Sequence, residues 1–295
     1  MRYDSPLRYP GGKASLAGFL ARTIELNNLS GCSYFEPFAG GAGAALRLLR
    51  DGVVSKLRLN DLDVRITAFW NSVLSERDRF VDSILSVPVS IAEWETQREI
   101  CRRGDASNEF ELGFATFYVN RCNRSGVLFR AAPIGGHEQA GEWKMDARFN
   151  RAALAERVIA ISQRRESIKV TNMDARDFLV QHLPRGRERR RVFAYLDPPY
   201  HSNGSRLYLN RYRDRDHKEL ARYMQRQRML NWVMSYDDVP RVRDLYASCT
   251  VGSLSIRYSF QRVTRTRELV IAPTHVHLPA AIERDNAPSV AARSA

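Results

Sequence analysis

A carboxylate, two prolines and an aromatic ring follow directly on an apolar segment of the chain. Residues 192–196 are predicted to form a buried strand, and Asp197, Pro198, Pro199 and Tyr200 come next. Two successive prolines fix the backbone and end strand pairing, so this turn would hold the Asp197 carboxylate and the Tyr200 ring rigidly at the carboxyl end of a sheet. The carboxylate and the Pro198 carbonyl could then accept hydrogen bonds from an exocyclic amino group while the ring stacks on a planar base. The plainer alternative is an aspartate that caps a helix beside a tyrosine that packs in the core.

A glycine-rich turn near the N-terminus is a second candidate binding element. Residues 33–36 are predicted to form a strand, and the turn 37–43 leads from it into a helix. Glycines at such a turn let the backbone approach a ligand closely. Asp61 ends the next predicted strand, where an acid could hold a ribose, so the two features together suit a cofactor that contains adenosine. Leu46 stands where a dinucleotide-binding turn needs a small residue, which argues against NAD.

Strand and helix patterns alternate on both sides of a long helical stretch, which predicts an α/β fold with an insertion. We expect a catalytic domain formed by residues 1–63, which would bind the cofactor, and residues 151–278. Between them, residues 64–150 have helical hydrophobic spacing followed by a polar, glycine-rich stretch, which indicates a mostly helical insertion. A closing antiparallel hairpin with a basic tip is predicted over 253–272, and the tail 279–295 lacks periodicity and is expected to be disordered.

The charge balance favours a polyanionic partner. The 295 residues include 46 Lys and Arg against 33 Asp and Glu, a net charge of +13, and only five of the basic residues are Lys. Guanidinium groups bind phosphates and base edges well, so nucleic acid is favoured over a neutral small molecule. The 4 cysteines form no Cys-x-x-Cys pair, which argues against a zinc ribbon or a redox motif and is typical of a reducing cytoplasm. No segment has the pattern of a signal peptide or a membrane span, so we expect a cytoplasmic protein. We expect no metal site and, by default, a monomer.

The order of these motifs resembles that of the Dam-like (D12 class) DNA adenine-N6 methyltransferases, for which Asp-Pro-Pro-Tyr is the catalytic signature. The resemblance covers about residues 5–272. It implies a class I S-adenosylmethionine-dependent methyltransferase fold, which is Rossmann-like α/β with a mixed seven-stranded sheet, and a mostly helical DNA-recognition insertion. The activity it implies is transfer of a methyl group from S-adenosyl-L-methionine to N6 of an adenine flipped out of double-stranded DNA. The expected setting is a bacterial or phage protein at the nucleoid, with a restriction endonuclease encoded nearby as one further partner.

The resemblance assigns residues to three roles. The catalytic turn would consist of Asp197, Pro198, Pro199 and Tyr200. The cofactor would be held by Tyr9, Lys13, Glu36, Phe38, Gly40, Gly41, Gly43, Asp61, Asp174 and Asp197. Double-stranded DNA would be contacted by Arg121, Arg124, Arg130, Arg262, Arg265 and Arg267. The segment 131–137 departs from the GATC-methylating members of the family, so no target sequence is assigned.

Two other classes of function fit parts of the pattern. A similar turn could hold a different amino group, such as that of RNA adenine, N4 of cytosine or a glutamine amide in a protein. The cytosine enzymes usually have Ser, and the glutamine enzymes Asn, where this chain has Asp197. A DNA-binding protein with an inactive pocket is the remaining alternative, and the acids at Asp61, Asp174 and Asp197 argue against it.

Overall fold

The computed structural model describes residues 5–8, 13–202, 212–259, 263–280 and 283–284, with the side chains of residues 13–14, 255–267 and 283–284 outside that description. The strands are β1 (Cys32–Glu36), β2 (Val54–Asn60), β3 (Ile168–Thr171), β4 (Val192–Leu196), β5 (Asn231–Asp237), β6 (Thr250–Ser259), β7 (Val263–Ala272) and β8 (Glu283–Arg284). The α-helices are α1 (Ala17–Leu26), α2 (Gly43–Arg50), α3 (Val64–Ser75), α4 (Arg77–Ser86), α5 (Ile91–Arg103), α6 (Glu109–Cys122), α7 (Arg151–Ser162), α8 (Ala175–His182), α9 (Asp214–Gln225) and α10 (Pro240–Leu245).

The strands form one mixed sheet in the order β3-β2-β1-β4-β5-β7-β6-β8. Strands β1 to β5 are parallel, and β7 lies antiparallel between β5 and β6. The predicted α/β fold with a mixed seven-stranded sheet is confirmed. The two residues of β8 add an eighth, edge position, so this part of the tail predicted to be disordered pairs with β6 instead.

Helices cover both faces of the sheet because its central strands are apolar on both sides. All five residues of β4 are buried, as parallel strands between two helical layers require. One face packs against α1, α2, α3 and α7 in a single hydrophobic cluster. The other face packs against α8, α9 and α10 in a second cluster. None of the helices in the described part of the chain combines the length and apolar character needed to cross a membrane.

Four α-helices, α3 to α6, lie within residues 64–150, where the sequence predicts a helical insertion, and α7 follows them before β3. Helix α6 is buried at every residue from Leu112 to Cys122 and so forms the centre of this part. Three rings of α6 pack against rings from α3, α4 and the segment before α7. The α6 rings are Phe110, Phe114 and Phe117, and the others are Phe69, Phe80 and Phe149. These rings belong to the cluster that also covers the sheet, so the inserted helices are rigidly continuous with the strands they interrupt.

Two features of the C-terminal half differ from the sequence expectation. Helices α9 and α10 follow the catalytic turn and β5, where no helix is predicted from the sequence. Strand β7 begins at Val263, so the arginines at 265 and 267 lie within a strand rather than at the tip of the hairpin. Pairing with β6 continues to the register Ser259↔Val263, because two long strands satisfy more backbone groups than a long tip would.

The N-terminal segment 5–8 is held against the end of α6. The Asn120 side chain accepts from the Arg8 backbone N–H at 2.7 Å and donates to the Arg8 carbonyl at 2.8 Å. Gly126 lies against the same carbonyl with a φ of +73°, so a Cβ there would collide with backbone. The amide and the glycine together fix the path of the chain just before residue 9.

Replacing Gly126 by Ala should therefore release this segment. We expect a loss of at least about 3 kcal/mol of unfolding free energy, because the left-handed backbone and the collision with the Arg8 carbonyl both disfavour a side chain. Gly136→Ala is the matched control, since its φ is +80° but a Cβ there has nothing within 4 Å. It should cost only about 1 kcal/mol. Urea unfolding of both variants measures the difference, and equal losses would contradict the close approach.

Candidate active site

The candidate catalytic turn leaves the sheet where the strand order changes direction. Strands β1 and β4 are parallel neighbours. Helix α2, which follows β1, lies on one face of the sheet, and α9, the next described helix after β4, lies on the other. This arrangement leaves a crevice at the carboxyl ends of the two strands. Asp197 follows β4 at this point and is half-buried. Ser235 on the adjacent strand β5 donates to Asp197 Oδ1 at 2.7 Å, and the Ser235 hydroxyl is within 2.8 Å of the Tyr195 hydroxyl. The carboxylate is thus fixed by a residue of the adjacent strand at this edge of the sheet.

Two carboxylates that oppose each other in the sheet hold the residues after the prolines. Asp237 and Glu268 are register partners in the antiparallel pair of β5 and β7. The Tyr200 hydroxyl donates to Glu268, a side chain only 1% exposed. Asp237 accepts from the backbone N–H groups of His201 and Ser202, each at 2.9 Å. The Tyr200 ring is therefore held at both its hydroxyl and its following backbone.

Sequence reasoning missed this carboxylate pair. The available signal for Asp237 was its position just beyond a predicted strand, at the edge where ligands bind in such folds. Glu268 gave no comparable signal, because it stands at the start of a predicted strand and its partner Tyr200 lies on another element. Only the pairing of β5 with β7 brings the two acids to the same turn.

The glycine turn after β1 is fixed by contacts on two sides. Gly40 and Ala42 both have a φ of +46°, a left-handed conformation that turns the chain sharply before α2. The Gly40 N–H donates to Asp61 Oδ2 at 2.8 Å, and the Trp70 indole N–H donates to the Gly40 carbonyl at 2.9 Å. The turn is therefore a preformed surface between the ends of β1 and β2.

Asn60, the last residue of β2, joins the ends of three strands. Its side-chain nitrogen donates to the carbonyls of Pro37 and Met173, at 3.1 and 2.9 Å. Its side-chain oxygen accepts from the Thr171 hydroxyl at 2.9 Å and from the Met173 N–H at 3.1 Å. The buried amide thus uses its full hydrogen-bonding capacity to set the spacing of the turns after β1, β2 and β3.

Acidic side chains accumulate at this edge of the sheet. Burial raises the pKa of Glu36 well above its ordinary value, and the nearby Asp197 and Asp61 carboxylates raise it further. Burial likewise raises the pKa of Asp61 to about 7, although hydrogen bonds from the backbone of Asp63 and Gly40 oppose the shift. By hydrogen-bond geometry the buried Glu36 Oε2 has no partner among the described residues, although the Tyr34 hydroxyl lies close enough to this carboxyl to oppose the rise in its pKa. Three carboxylates around a glycine turn, one with an orphaned oxygen, suit a ligand that carries positive charge and donor groups.

Of the remaining residues predicted to bind the cofactor, some lie on the carboxyl edge of the sheet and others lie outside the described residues. Asp174 follows β3 and caps α8, accepting from the Arg176 N–H at 2.8 Å. Phe38 is half-buried and packs edge-on against Tyr212, with ring centroids 5.8 Å apart. Tyr9 lies outside the described residues, as does the side chain of Lys13, whose backbone starts a short 3-10 helix.

The predicted DNA-contacting arginines are placed unequally. Arg124 and Arg130 are exposed on the segment after α6. Arg121 is buried instead, with its guanidinium donating to the carbonyls of Pro6 and Arg148, and burial lowers its pKa to about 9. In this arrangement Arg121 ties the N-terminal segment to the inserted helices rather than facing a DNA surface. The hairpin residue Arg262 and the side chains of residues 265 and 267 lie outside the described residues.

Comparison with known proteins gives one family. The family model described as D12 class N6 adenine-specific DNA methyltransferase matches residues 9–267. The match runs from the N-terminal segment through the glycine turn, the inserted helices and the catalytic turn to β7. A comparison with curated protein sequences gives no significant match.

The raised pKa of Asp61 makes a prediction about stability. Because its pKa is about 7 in the folded protein and near its ordinary 3.8 in the unfolded chain, the folded state binds more protons between these values. The free energy of unfolding should fall as the pH rises from about 4 to about 7. Asp61→Asn cannot ionise and still offers an oxygen to the Gly40 N–H, so part of this fall should disappear.

Urea unfolding at pH 5 and pH 8 measures the effect. Asp82→Asn, on the exposed surface of α4, is the control for a general change of charge. A fall in Asp61→Asn as large as in the unaltered protein and in the control would show that Asp61 is ionised at both pH values.

Proposed function

The chain belongs to the D12 class N6 adenine-specific DNA methyltransferase family, and on this premise we propose that the carboxyl edge of β1, β2 and β4 is its methyl-transfer site. The protein methylates adenine N6 in DNA, as its family does. The observation that carries the assignment of the site is the Asp197 carboxylate, held by Ser235 at the switch point beside Glu36 and the glycine turn.

The adenine side of the reaction falls to the turn after β4. Adenine N6 is a weak nucleophile because its lone pair is delocalised into the ring. The Asp197 carboxylate and the Pro198 carbonyl would accept the two N6 hydrogens, which localises the lone pair and stabilises the positive charge that grows on N6. Full deprotonation of the neutral amine by a carboxylate is excluded by the large difference in acidity. The oriented acceptors are therefore the main contribution of the turn.

The cofactor side falls to the neighbouring strand ends. The orphaned Glu36 oxygen, the left-handed backbone at Gly40 and the Asp61 carboxylate fit the amino, carboxylate and ribose groups of S-adenosyl-L-methionine. When bound, this cofactor supplies an activated methyl group on a positively charged sulfur. Asp174 follows β3 and Phe38 follows β1 on the same edge, and they would complete the proposed site together with Tyr9 and Lys13.

The turn requires the adenine to leave the duplex, because a stacked base cannot reach the sheet edge. The Tyr200 ring would stack on the extruded base, and Glu268 would fix the ring by its hydrogen bond to the hydroxyl. We assign target recognition to the inserted part, residues 64–150, with Arg124 and Arg130 facing the DNA. Arg262, Arg265 and Arg267 of the β6–β7 hairpin are proposed to contact phosphates.

Replacing Asp197 by Ala tests the central assignment. We expect methyl transfer to fall by at least about 10³-fold, because a preorganised acceptor at the reacting group is lost. DNA affinity should change less than about twofold, since phosphate contacts dominate binding. Incorporation of a labelled methyl group into duplex DNA measures methyl transfer, and a gel-shift titration measures DNA affinity. Ser235→Ala keeps the carboxylate but frees it, and should lose about tenfold in turnover. Near-normal turnover of Asp197→Ala would refute the role.

The Tyr200–Glu268 contact predicts coupling between a residue of the turn after β4 and a residue of β7. Tyr200→Phe and Glu268→Gln each weaken the same hydrogen bond, so either should lower kcat about three- to tenfold and leave the KM for the cofactor unchanged. The double variant should be no worse than the more affected single variant, because the interaction is shared. Steady-state kinetics measure the losses in kcat, and 2-aminopurine fluorescence at the target position reports base extrusion. Losses that add in the double variant would mean that the two residues act independently.

A further inference from the structure

A second basic surface lies at the opposite end of the sheet from the catalytic turn. It is built from the segment before β4 and the segment between α9 and β5. We call it the amino-end patch, and its six exposed members are Arg185, Arg187, Arg190, Arg191, Arg226 and Arg228. Since β4 and β5 are parallel, both segments lie at the amino ends of these strands, while Asp197 follows the carboxyl end of β4.

The two segments of the amino-end patch are packed onto one another. Arg189, half-buried between them, donates to the Pro184 carbonyl at 3.0 Å and to the Gln227 side chain at 2.8 Å. The Asn231 side chain donates to the Arg190 carbonyl at 3.0 Å. These contacts fix the backbone of a short 3-10 helix over Gly186–Arg191. The arginines of the patch therefore project from an ordered platform.

The amino-end patch is poorly compensated by acids. Elsewhere, exposed arginines such as Arg22, Arg47 and Arg102 form ion pairs with an acid three or four residues away. In the described part of the chain none of the six patch arginines forms such a pair, and one acid, Glu188, lies among them. Six like charges on two adjoining segments repel each other, and a polyanion would relieve that repulsion.

We propose that the amino-end patch binds the phosphate backbone of a second segment of duplex DNA, so that one protein molecule bridges two segments. Guanidinium groups are well matched to phosphates, and duplex DNA is already the substrate. A straight duplex placed over the carboxyl edge, where the proposed function puts the extruded adenine, does not reach the amino ends of the strands on the far side of the sheet. The surface is thus separate from the substrate-binding one.

A two-duplex capture assay tests the proposal without relying on catalysis. One biotinylated duplex is immobilised, loaded with protein and washed, and a second, fluorescent duplex is added at about 50 mM salt, where phosphate contacts are strong. The test variant combines Arg185→Gln, Arg187→Gln, Arg190→Gln and Arg191→Gln, and leaves Arg189 in place. The control combines Arg22→Gln, Arg47→Gln, Arg50→Gln and Arg165→Gln, which removes the same number of positive charges. These four exposed arginines lie outside the patch, and each forms an ion pair with an acid.

The unaltered protein and the control should capture the second duplex, and the patch variant should capture at least tenfold less. Binding of the first duplex and methyl transfer to it should stay within about twofold in all three proteins, and thermal unfolding should confirm that all are folded. Equal capture by the patch variant and the control, whether high or low, would overturn the proposal. Displacement of the second duplex by single-stranded RNA at a tenfold lower concentration than by DNA would assign the patch to RNA instead. Because capture needs no turnover, failure of the proposed catalytic roles would leave this result interpretable.

Discussion

The concentration of acidic side chains at one edge of the sheet is the constraint on which the site depends. Glu36, Asp61 and Asp197 end or follow strands that lie side by side, and their mutual repulsion adds to the cost of burying them. Buried carboxylates without a cationic partner destabilise a fold. Burial favours the neutral forms of Glu36 and Asp61 in the free protein, and the positive sulfur of the proposed ligand would favour their ionised forms when the site is filled.

Such a site needs a rigid frame, and the frame is made of uncharged and backbone groups. The Asn60 amide spaces the turns after three strands, and the Trp70 indole holds the Gly40 carbonyl. Prolines stiffen the catalytic turn, and Asp237 with Glu268 holds its exit. Since transition-state stabilisation by fixed acceptors depends on their not having to reorganise, this frame would contribute to catalysis under the proposed function.

The positive charge of the chain is divided in a corresponding way. Many arginines are neutralised locally by acids one to four residues away and so contribute little at a distance. Arg121 is buried as an internal clamp on the N-terminal segment. Among the described residues, Arg124 and Arg130 after α6 and the six arginines of the amino-end patch are exposed and form no ion pair, so part of the positive charge is presented at two separate surfaces.

The sequence by itself determined the α/β class, the inserted helices, the ends of β1, β2, β3 and β4, and the acids at those ends. It did so because these features are local: apolar runs, glycines and prolines set strand ends within a few residues. The tertiary structure alone decided that Glu268 holds Tyr200, that Asn60 joins three turns and that Arg121 points inward. Each of these depends on a partner at least 23 residues away in sequence, brought close by strand order and helix packing, and no local pattern encodes such a contact.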